Sequence, residues 1–327
     1  MYGCETYEEF LEYVGGSFKG MVHPDDLNKI ENQIQAQTVF GEKRHDYVRY
    51  RIKTKQGEVL RDKLRKQQYV VDHIDEAIEQ EYIKVYYQPV IRVKTGEICG
   101  YEALVRWSDP KIGLLSPADF VETLEQFHLI HLVDTYVVRK VCEDHKKLRD
   151  AGEPLVPVSV NISRMDFELC DIFDIIEKAR TEFDVPRDMI DIEITESTLN
   201  DNVSYIKNEC DRMKSLGYHI WLDDFGSGYS SLNNIAEYDF DVLKLDLIFL
   251  RSLDNNPKTG ILMTYIVEGA NGMGVAPLCE GVESAEHYEF LKKIGCERAQ
   301  GYYFGKPMPM DETRAFTKGK GLQWEKT

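Results

Sequence analysis

The segment WLDDFGSGYSSL, residues 221–232, places two adjacent carboxylates, Asp223 and Asp224, directly after the apolar run YHIWL. Turn-forming glycines and serines follow, which indicates that the chain leaves a buried strand here and enters a loop. Two like charges side by side at the end of a buried strand repel each other and are costly to desolvate. The segment therefore predicts a covered strand with a source of positive charge near its carboxyl end.

From residue 81 onward, strand-like runs alternate with amphipathic helical segments. The runs are KVYYQPV, CGYEALVRW, VPVSVNI, MIDIEIT, YHIWLDDF, DVLKLD, VAPLCEG and a short eighth, RAQGYYF. They are almost continuously apolar, as parallel strands covered on both faces are. Seven or eight such units over about 240 residues have the size of a TIM-type (β/α)8 barrel. A doubly wound open sheet is the alternative, although no GxGxxG follows the first run.

Polar residues lie at or beside the carboxyl ends of these runs. They are Glu102, Arg106, Asn161, Glu193, Glu196, Asp223, Asp224, Lys244, Asp246, Glu280 and Gln300. Strand ends of a parallel barrel converge on one face, and so many acids would repel each other there unless cations neutralise them. Oxygen ligands without His or Cys favour Mg²⁺ or Mn²⁺ over zinc. Asp223 is placed to bridge two ions about 3.5–4 Å apart. The pattern predicts two divalent ions beneath a Gly/Ser-rich loop able to close over them.

Composition excludes several classes of function. The 327 residues carry a net charge of −17, which disfavours long nucleic acids and anionic membranes but allows a small anionic ligand held through metal ions. The seven cysteines form no CxxC pair, as expected in a reducing compartment. No apolar run approaches the ~20 residues of a membrane span, and the acidic start MYGCETYEEF does not resemble a signal peptide. These features predict a cytoplasmic protein.

A set of ordered motifs resembles one known family. The motifs are YYQPV, YEALVRW, VSVNIS, IEITES, LDDFGSGYSSL, VLKLD, CEGVE and AQGYYFGKPMP, between Ile74 and Met310. They resemble the EAL-domain phosphodiesterases, which hydrolyse cyclic di-GMP to the linear dinucleotide pGpG. The resemblance implies a TIM-type barrel with an irregular first strand and a need for Mg²⁺ or Mn²⁺. It also implies cyclic di-GMP as the substrate and a homodimer formed through the region after the DDFG loop.

The resemblance also implies roles for individual residues. One metal ion would be held by Glu102, Asn161, Glu193 and Asp223. A second would be held by Asp223 and Asp224, with Glu280 nearby. Lys244, assisted by Asp246, is implied to act on the attacking water. Glu196 is implied to anchor the loop at 225–231. The residues implied on the substrate side are Gln88, Arg106 and Gln300, the last also ordering the network around the metals.

The chain divides into several predicted segments. Residues 81–312 form the predicted EAL barrel and 313–327 a tail. Residues 63–80 are charged and have a helical period, which predicts a connecting helix. Residues 1–62 differ in texture, and EEFLEYVGGSFKGMVHPDDL with YVRYRIKTKQGEV resembles the central part of a PAS domain. We therefore predict that the barrel is preceded by a small α+β PAS-like remnant.

Two functional interpretations of different classes follow from the resemblance. The first is an active phosphodiesterase, and the second is a catalytically idle EAL domain that acts as a cyclic di-GMP receptor. Idle members typically lose a metal carboxylate or alter the DDFG loop, whereas this chain keeps both, which favours the enzyme. A scaffold acting through the PAS-like segment is compatible with either.

Overall fold

The computed structural model describes residues 59–199, 203–226, 238–253 and 255–326. The chain separates into two compact units, Met1–His73 and Ile74–Thr327. The first described element is a helix, Val59–Glu79, which begins earlier than the connecting helix predicted over 63–80. The predicted PAS-like segment lies outside the described residues, except for 59–62, and stays a prediction.

The described chain contains nine strands, which are numbered in chain order. Their bounds are β1 Ile83–Arg92, β2 Ile98–Asp109, β3 Gly113–Leu115, β4 Val158–Asn161, β5 Ile190–Thr195, β6 His219–Phe225, β7 Val242–Leu245, β8 Ala276–Cys279 and β9 Arg298–Gln300. Each predicted run coincides with a strand. The short β3 is the one strand of this set that the sequence analysis did not identify.

Helices follow most of the strands. Those after Glu79 are Pro117–Gln126, Ile130–Asp150, Arg164–Leu169, Ile172–Phe183, Glu196–Leu199, Val203–Ser215, Ile248–Leu253, Pro257–Gly272, Ala285–Ile294 and Met310–Gly319, with a 3₁₀ turn at Arg187–Met189. Within the described ranges, no helix combines the length and hydropathy needed to cross a membrane.

Eight of the strands close into a barrel. The order around the ring is β1-β9-β8-β7-β6-β5-β4-β2, with β1 paired back to β2, and β3 extends the far side of β2. The pairings from β2 through β4 to β9 are parallel. The predicted TIM-type barrel is therefore confirmed.

The first strand departs from the parallel pattern. β1 runs antiparallel to both of its neighbours, β2 and β9. Only residues 93–97 connect β1 to β2, and they turn around Gly96, whose φ is 76°. A parallel crossover needs a dozen or more residues, whereas a short turn can join antiparallel strands. The run KVYYQPV is thus not one of the parallel strands, and it is the irregular first strand that the resemblance implied.

Apolar side chains close the barrel beneath the strand ends. This barrel floor consists of Val90, Cys99, Trp221, Val242 and Leu278, all buried. Side chains two positions apart on a strand face the same side. Asp223, Lys244 and Glu280 each follow a floor residue by two positions, and they therefore lie one layer nearer the mouth. The core of the barrel is the base on which the polar site rests.

Candidate active site

The ammonium group of Lys244 lies at the centre of the polar layer. Its side chain is 1% exposed, and its Nζ is 2.7 Å from an oxygen of Glu193, 3.0 Å from Asp223, 3.0 Å from Glu280 and 3.4 Å from Glu102. The carboxylates come from β2, β5, β6 and the end of β8, so closure of the barrel brings them together. A lysine that the resemblance assigned to the attacking water is therefore also a counter-charge for the carboxylates.

The burial of these groups shifts their pKa values. Burial raises the pKa of Glu193 well above its usual range, because the opposing effect of Lys244 is insufficient and Glu102 adds repulsion. Burial likewise raises the pKa of Glu280 to about 8. Burial alone would lower the pKa of Lys244, but the carboxylates, Asp223 and Glu102 foremost, outweigh it and raise that pKa. One ammonium cannot neutralise four carboxylates, so the site favours further bound cations or protons.

Three side-chain amides organise this layer around Glu102. Asn161 Nδ2 donates to Glu102 Oε1 at 3.4 Å, and Gln300 Nε2 donates to Glu102 Oε2 and, at 3.0 Å, to Gln88 Oε1. Gln88 Nε2 donates to the carbonyl oxygen of Gly305 at 3.1 Å. Gln88 lies directly opposite Glu102 in the β1–β2 register. Both glutamines are buried; Gln300 contacts the carboxylate of Glu102 directly, and Gln88 is joined to it through Gln300.

A backbone irregularity presents Asp223 and Asp224 to the same side. Consecutive residues of a regular strand face opposite sides, but the β6–β7 register shifts between Leu222 and Phe225. Asp224 has φ 59°, and its N–H donates to Asp223 Oδ1 at 2.8 Å. Aspartate tolerates this left-handed conformation better than most residues. Burial, followed by repulsion from Asp223, raises the pKa of Asp224 to about 6.

The glycine that follows in the DDFG motif is required by close packing. Gly226 has φ 98°, and a Cβ there would lie 2.3 Å from a ring carbon of Phe249. Any side chain would displace this ring, and a positive φ is a conformation that glycine adopts more readily than other residues. The Gly/Ser-rich loop predicted to close over the site begins here, and residues 227–237 lie outside the described chain.

The other predicted catalytic and substrate residues surround this layer. Asp246 follows β7, and its Oδ1 accepts from the Ile248 N–H at 2.7 Å. Glu196 is buried and begins the helix Glu196–Leu199. The Arg106 guanidinium carbon lies 5.6 Å from the ring centre of Tyr86. The described ion pairs of Lys244 do not include Asp246 or Glu196. Any contribution of these two residues to catalysis would therefore act through other groups.

The acidic layer fits a divalent cation. One carboxylate oxygen from each of Glu102, Glu193 and Asp223 lies within 4.8 Å of the other two. Glu193 Oε1 and Gln300 Oε1 are buried, and neither has a hydrogen-bond partner among the described residues. Buried polar atoms without partners are costly. An all-oxygen set with excess negative charge and unsatisfied acceptors could hold a hard divalent metal ion.

A cavity of about 820 Å³ opens above the acidic layer, within the size range of small-molecule sites. Glu102, Asp223, Asp224 and Glu280 line its inner side. The helices Pro117–Gln126 and Ile130–Asp150 line its outer side, together with residues 161–165, which run from the end of β4 into the next helix. Several lining residues were not predicted from the sequence, namely Glu125, His128, Asp134, Ser163, Arg164, Thr195, Ser197 and Thr198. Their position in the sequence could have indicated five of them. Ser163 and Arg164 closely follow β4, Thr195 ends β5, and Ser197 and Thr198 follow it.

The raised pKa of Glu280 predicts how the stability of the metal-free protein depends on pH. The pKa of Glu280 is about 8 in the folded protein, against an ordinary value of 4.5. Between these values the folded state binds more protons than the unfolded state, so the free energy of unfolding falls as pH rises from about 5 to 8. Thermal unfolding in EDTA across this range measures the slope. Glu280→Gln should flatten it, and an equally steep slope in that variant would contradict the prediction.

Several known proteins resemble this chain. The sequence profile of the EAL domain matches residues 71–307. Cyclic di-GMP phosphodiesterase PdeR of Escherichia coli (strain K12) is 37% identical over 237 residues, which cover 72% of this chain and 36% of PdeR. Cyclic di-GMP phosphodiesterase NbdA of Pseudomonas aeruginosa is 29% identical over 247 residues, which cover 76% of this chain and 32% of NbdA. This chain spans about a third of the length of the curated relatives it matches.

Solved structures agree with the sequence matches. The PaMucR phosphodiesterase in complex with c-di-GMP has a TM-score of 0.70 and 28% identity, covering 75% of this chain and 99% of that one. An EAL-domain protein from Listeria monocytogenes EGD-e has a TM-score of 0.65 and 28% identity, covering 75% of this chain and 96% of that one. The similarity therefore extends over the barrel in both sequence and fold.

Proposed function

Because this chain belongs to the EAL-domain family, we propose that it is a phosphodiesterase that hydrolyses cyclic di-GMP to linear 5′-pGpG. The observation that carries the proposal is the acidic layer around Lys244, in which four carboxylates from separate strands surround one buried ammonium. Two relatives are named as phosphodiesterases of this dinucleotide, and one structural neighbour contains it. Hydrolysis would lower the level of a second messenger in bacterial signalling.

We infer that the site takes two ions of Mg²⁺ or Mn²⁺. The residues that would hold the first are Glu102, Asn161, Glu193 and Asp223, and those for the second are Asp223 and Asp224 with Glu280 nearby. The unsatisfied oxygen of Glu193 supports this assignment, as does the bulge that presents both aspartates to the cavity. Two bound ions would supply a water of lowered pKa and neutralise charge on the phosphate.

The chain's own residues would complete the chemistry. Lys244 would orient the attacking water and place positive charge where the phosphorane oxygens develop negative charge. Asp246 would assist from the turn that follows β7, and Glu196 would hold the loop at 225–231. The residues proposed to orient the substrate are Gln88 and Arg106, with Gln300 fixing Gln88 and Glu102. The apolar barrel floor would keep bulk water from the site from below.

Product analysis with purified protein tests the proposed function. Cyclic di-GMP should become pGpG in Mg²⁺ or Mn²⁺ and remain intact in EDTA. Ca²⁺ should support binding with little turnover, because it accepts looser and higher coordination. Glu102→Gln is the inactive control. Tight binding of cyclic di-GMP without hydrolysis in either Mg²⁺ or Mn²⁺ would support the receptor interpretation instead.

We further propose that the protein forms a homodimer in the cytoplasm. The helix Pro257–Gly272 exposes Ile261, Leu262 and Tyr265 at 52–69%. Clustered exposed apolar side chains mark interaction surfaces, and this helix lies in the region that follows the DDFG loop. Sedimentation should report a dimer that Tyr265→Glu weakens. The six cysteines in the described chain are free thiols, which is compatible with a reducing compartment.

The proposed domain division predicts the effect of a truncation. Removing residues 1–62 should leave a folded barrel that hydrolyses cyclic di-GMP, because all the proposed ligands lie beyond residue 87. Circular dichroism and turnover of the truncated protein check this expectation. Loss of folding would make the first segment integral to the barrel, and a moderate change in rate would indicate that the segment regulates it.

A further inference from the structure

The charges lining the cavity are unequal. Among the described lining residues, six carry carboxylates, namely Glu102, Glu125, Asp134, Asp223, Asp224 and Glu280. Arg164 is the single Arg or Lys of that lining. A dinucleotide with two phosphates would meet repulsion wherever it is not beside a bound metal ion or this arginine.

The backbone of Arg164 lies at the start of a capped helix, and its side chain is partly exposed. It follows Asn161 by three residues at the carboxyl end of β4. The preceding residue, Ser163, donates from its N–H and its hydroxyl to Asp166 at 2.6 and 2.9 Å. The Arg164 side chain is 38% exposed, and its Nε lies 3.4 Å from Glu168. An exposed pair one helical turn apart is weak, so a phosphate could compete with Glu168 for this side chain.

We propose that Arg164 binds the phosphate of cyclic di-GMP that is not being hydrolysed. This assignment rests on the proposed function, in which one phosphate lies at the acidic layer and the other extends along the cavity. A guanidinium can donate two parallel hydrogen bonds to phosphate oxygens. Arg106 does not line this cavity and packs on Tyr86, so Arg164 is the arginine placed beside a phosphate that extends along the cavity. Arg164 is thus a residue that selects for a second phosphate.

A simpler role for Arg164 is to neutralise Glu125, which also lines the cavity. Burial raises the pKa of Glu125, and the charge of Arg164 acts in the opposite direction. If this were its whole role, Glu125→Gln would relieve the loss of Arg164. The double variant Glu125→Gln/Arg164→Ala therefore separates a structural effect from ligand binding.

Two substrates provide the decisive measurement. Cyclic di-GMP has two phosphodiesters, whereas bis(p-nitrophenyl) phosphate has one. Arg164→Ala should raise KM for cyclic di-GMP by about 10- to 100-fold, the usual effect of a hydrogen bond to a charged group, with kcat changed less than about threefold. Its kcat/KM for bis(p-nitrophenyl) phosphate should stay unchanged. Arg164→Lys should restore part of the affinity. Arg139→Ala is the matched control, since Arg139 is an exposed arginine paired with Glu182 and lies outside the cavity lining.

The outcomes separate this assignment from the proposed function. Equal effects on both substrates, unchanged KM for cyclic di-GMP, or recovery in the double variant would overturn the role of Arg164. Affinity for cyclic di-GMP in Ca²⁺ gives the same test without turnover. A protein that binds the dinucleotide equally well with and without Arg164 overturns only this assignment. An unmodified protein that neither binds nor hydrolyses cyclic di-GMP overturns the proposed function, and the assignment with it.

Discussion

Lys244→Met should reduce kcat for cyclic di-GMP by about 10²- to 10³-fold, the usual result of removing one electrostatic donor that acts in the transition state. Its affinity for cyclic di-GMP in Ca²⁺ should change far less, because the interaction is made chiefly as charge develops on the phosphorane. Single-turnover rates in Mg²⁺ and titrations in Ca²⁺ measure the two quantities. Methionine keeps most of the side-chain volume, so that the barrel floor stays packed.

The same substitution should affect the stability of the metal-free protein. Lys244 is the described cation closest to Glu193, whose side chain is fully buried. Removing one partner of a buried ion pair commonly costs about 3–5 kcal/mol. Unfolding in EDTA should therefore occur at a lower temperature in Lys244→Met, and Mn²⁺ should recover more stability in the variant than in the unmodified protein.

Either of two results would contradict the role of Lys244. Near-normal turnover in Lys244→Met would remove it from the chemistry. Equal losses of kcat and of metal affinity would make it a residue that only organises the carboxylates. Lys146→Met is a suitable control, because Lys146 pairs with Asp150 on an exposed helix surface.

Asp223→Asn should reduce metal affinity and turnover together. Asp223 contacts Lys244, contributes to the three-carboxylate group that could hold a metal, and lines the cavity. Asparagine keeps the shape but removes the charge that both ions would share, so neither ion would bind normally. Calorimetric titration with Mn²⁺ and rates over a range of Mg²⁺ concentrations measure the effect. We expect a loss of at least 100-fold in kcat/KM at limiting metal, partly recovered at high metal concentration, since each lost charge-assisted contact is worth about 1.5–3 kcal/mol.

A neighbouring acid provides the comparison for Asp223. Asp246 lies outside the Lys244 contacts and accepts a backbone hydrogen bond, so Asp246→Asn should leave metal affinity nearly unchanged while lowering the rate. Asp223→Asn with normal metal titration would show that Asp223 is not shared between ions. Equal loss of metal affinity in the Asp246 variant would place Asp246 among the ligands.

The strand ends were largely predictable from local patterns. Asn161, Asp223, Lys244 and Gln300 stand at or near the ends of apolar runs, and parallel strands direct such ends to one face. The ordered motifs then identified the family, which the profile over residues 71–307 bears out. The direction of β1 was harder to predict from the sequence, because an antiparallel strand buried on both faces is as continuously apolar as a parallel one. Its short connection, residues 93–97, was the available signal.

Strand periodicity and motif order are local properties of the chain, and they were sufficient to predict the barrel class, the family and the acidic residues of the site. Which of those residues are in contact depends on the tertiary structure. Lys244 contacts Glu102 and Glu193, which lie 142 and 51 positions before it in the chain, only because the ring of strands closes. The register shift in β6 brings Asp224 to the cavity beside Asp223, although strand alternation would have turned it away. Contacts between distant segments depend on how the whole barrel closes, and strand periodicity alone predicts neither these contacts nor a departure from regular strand geometry.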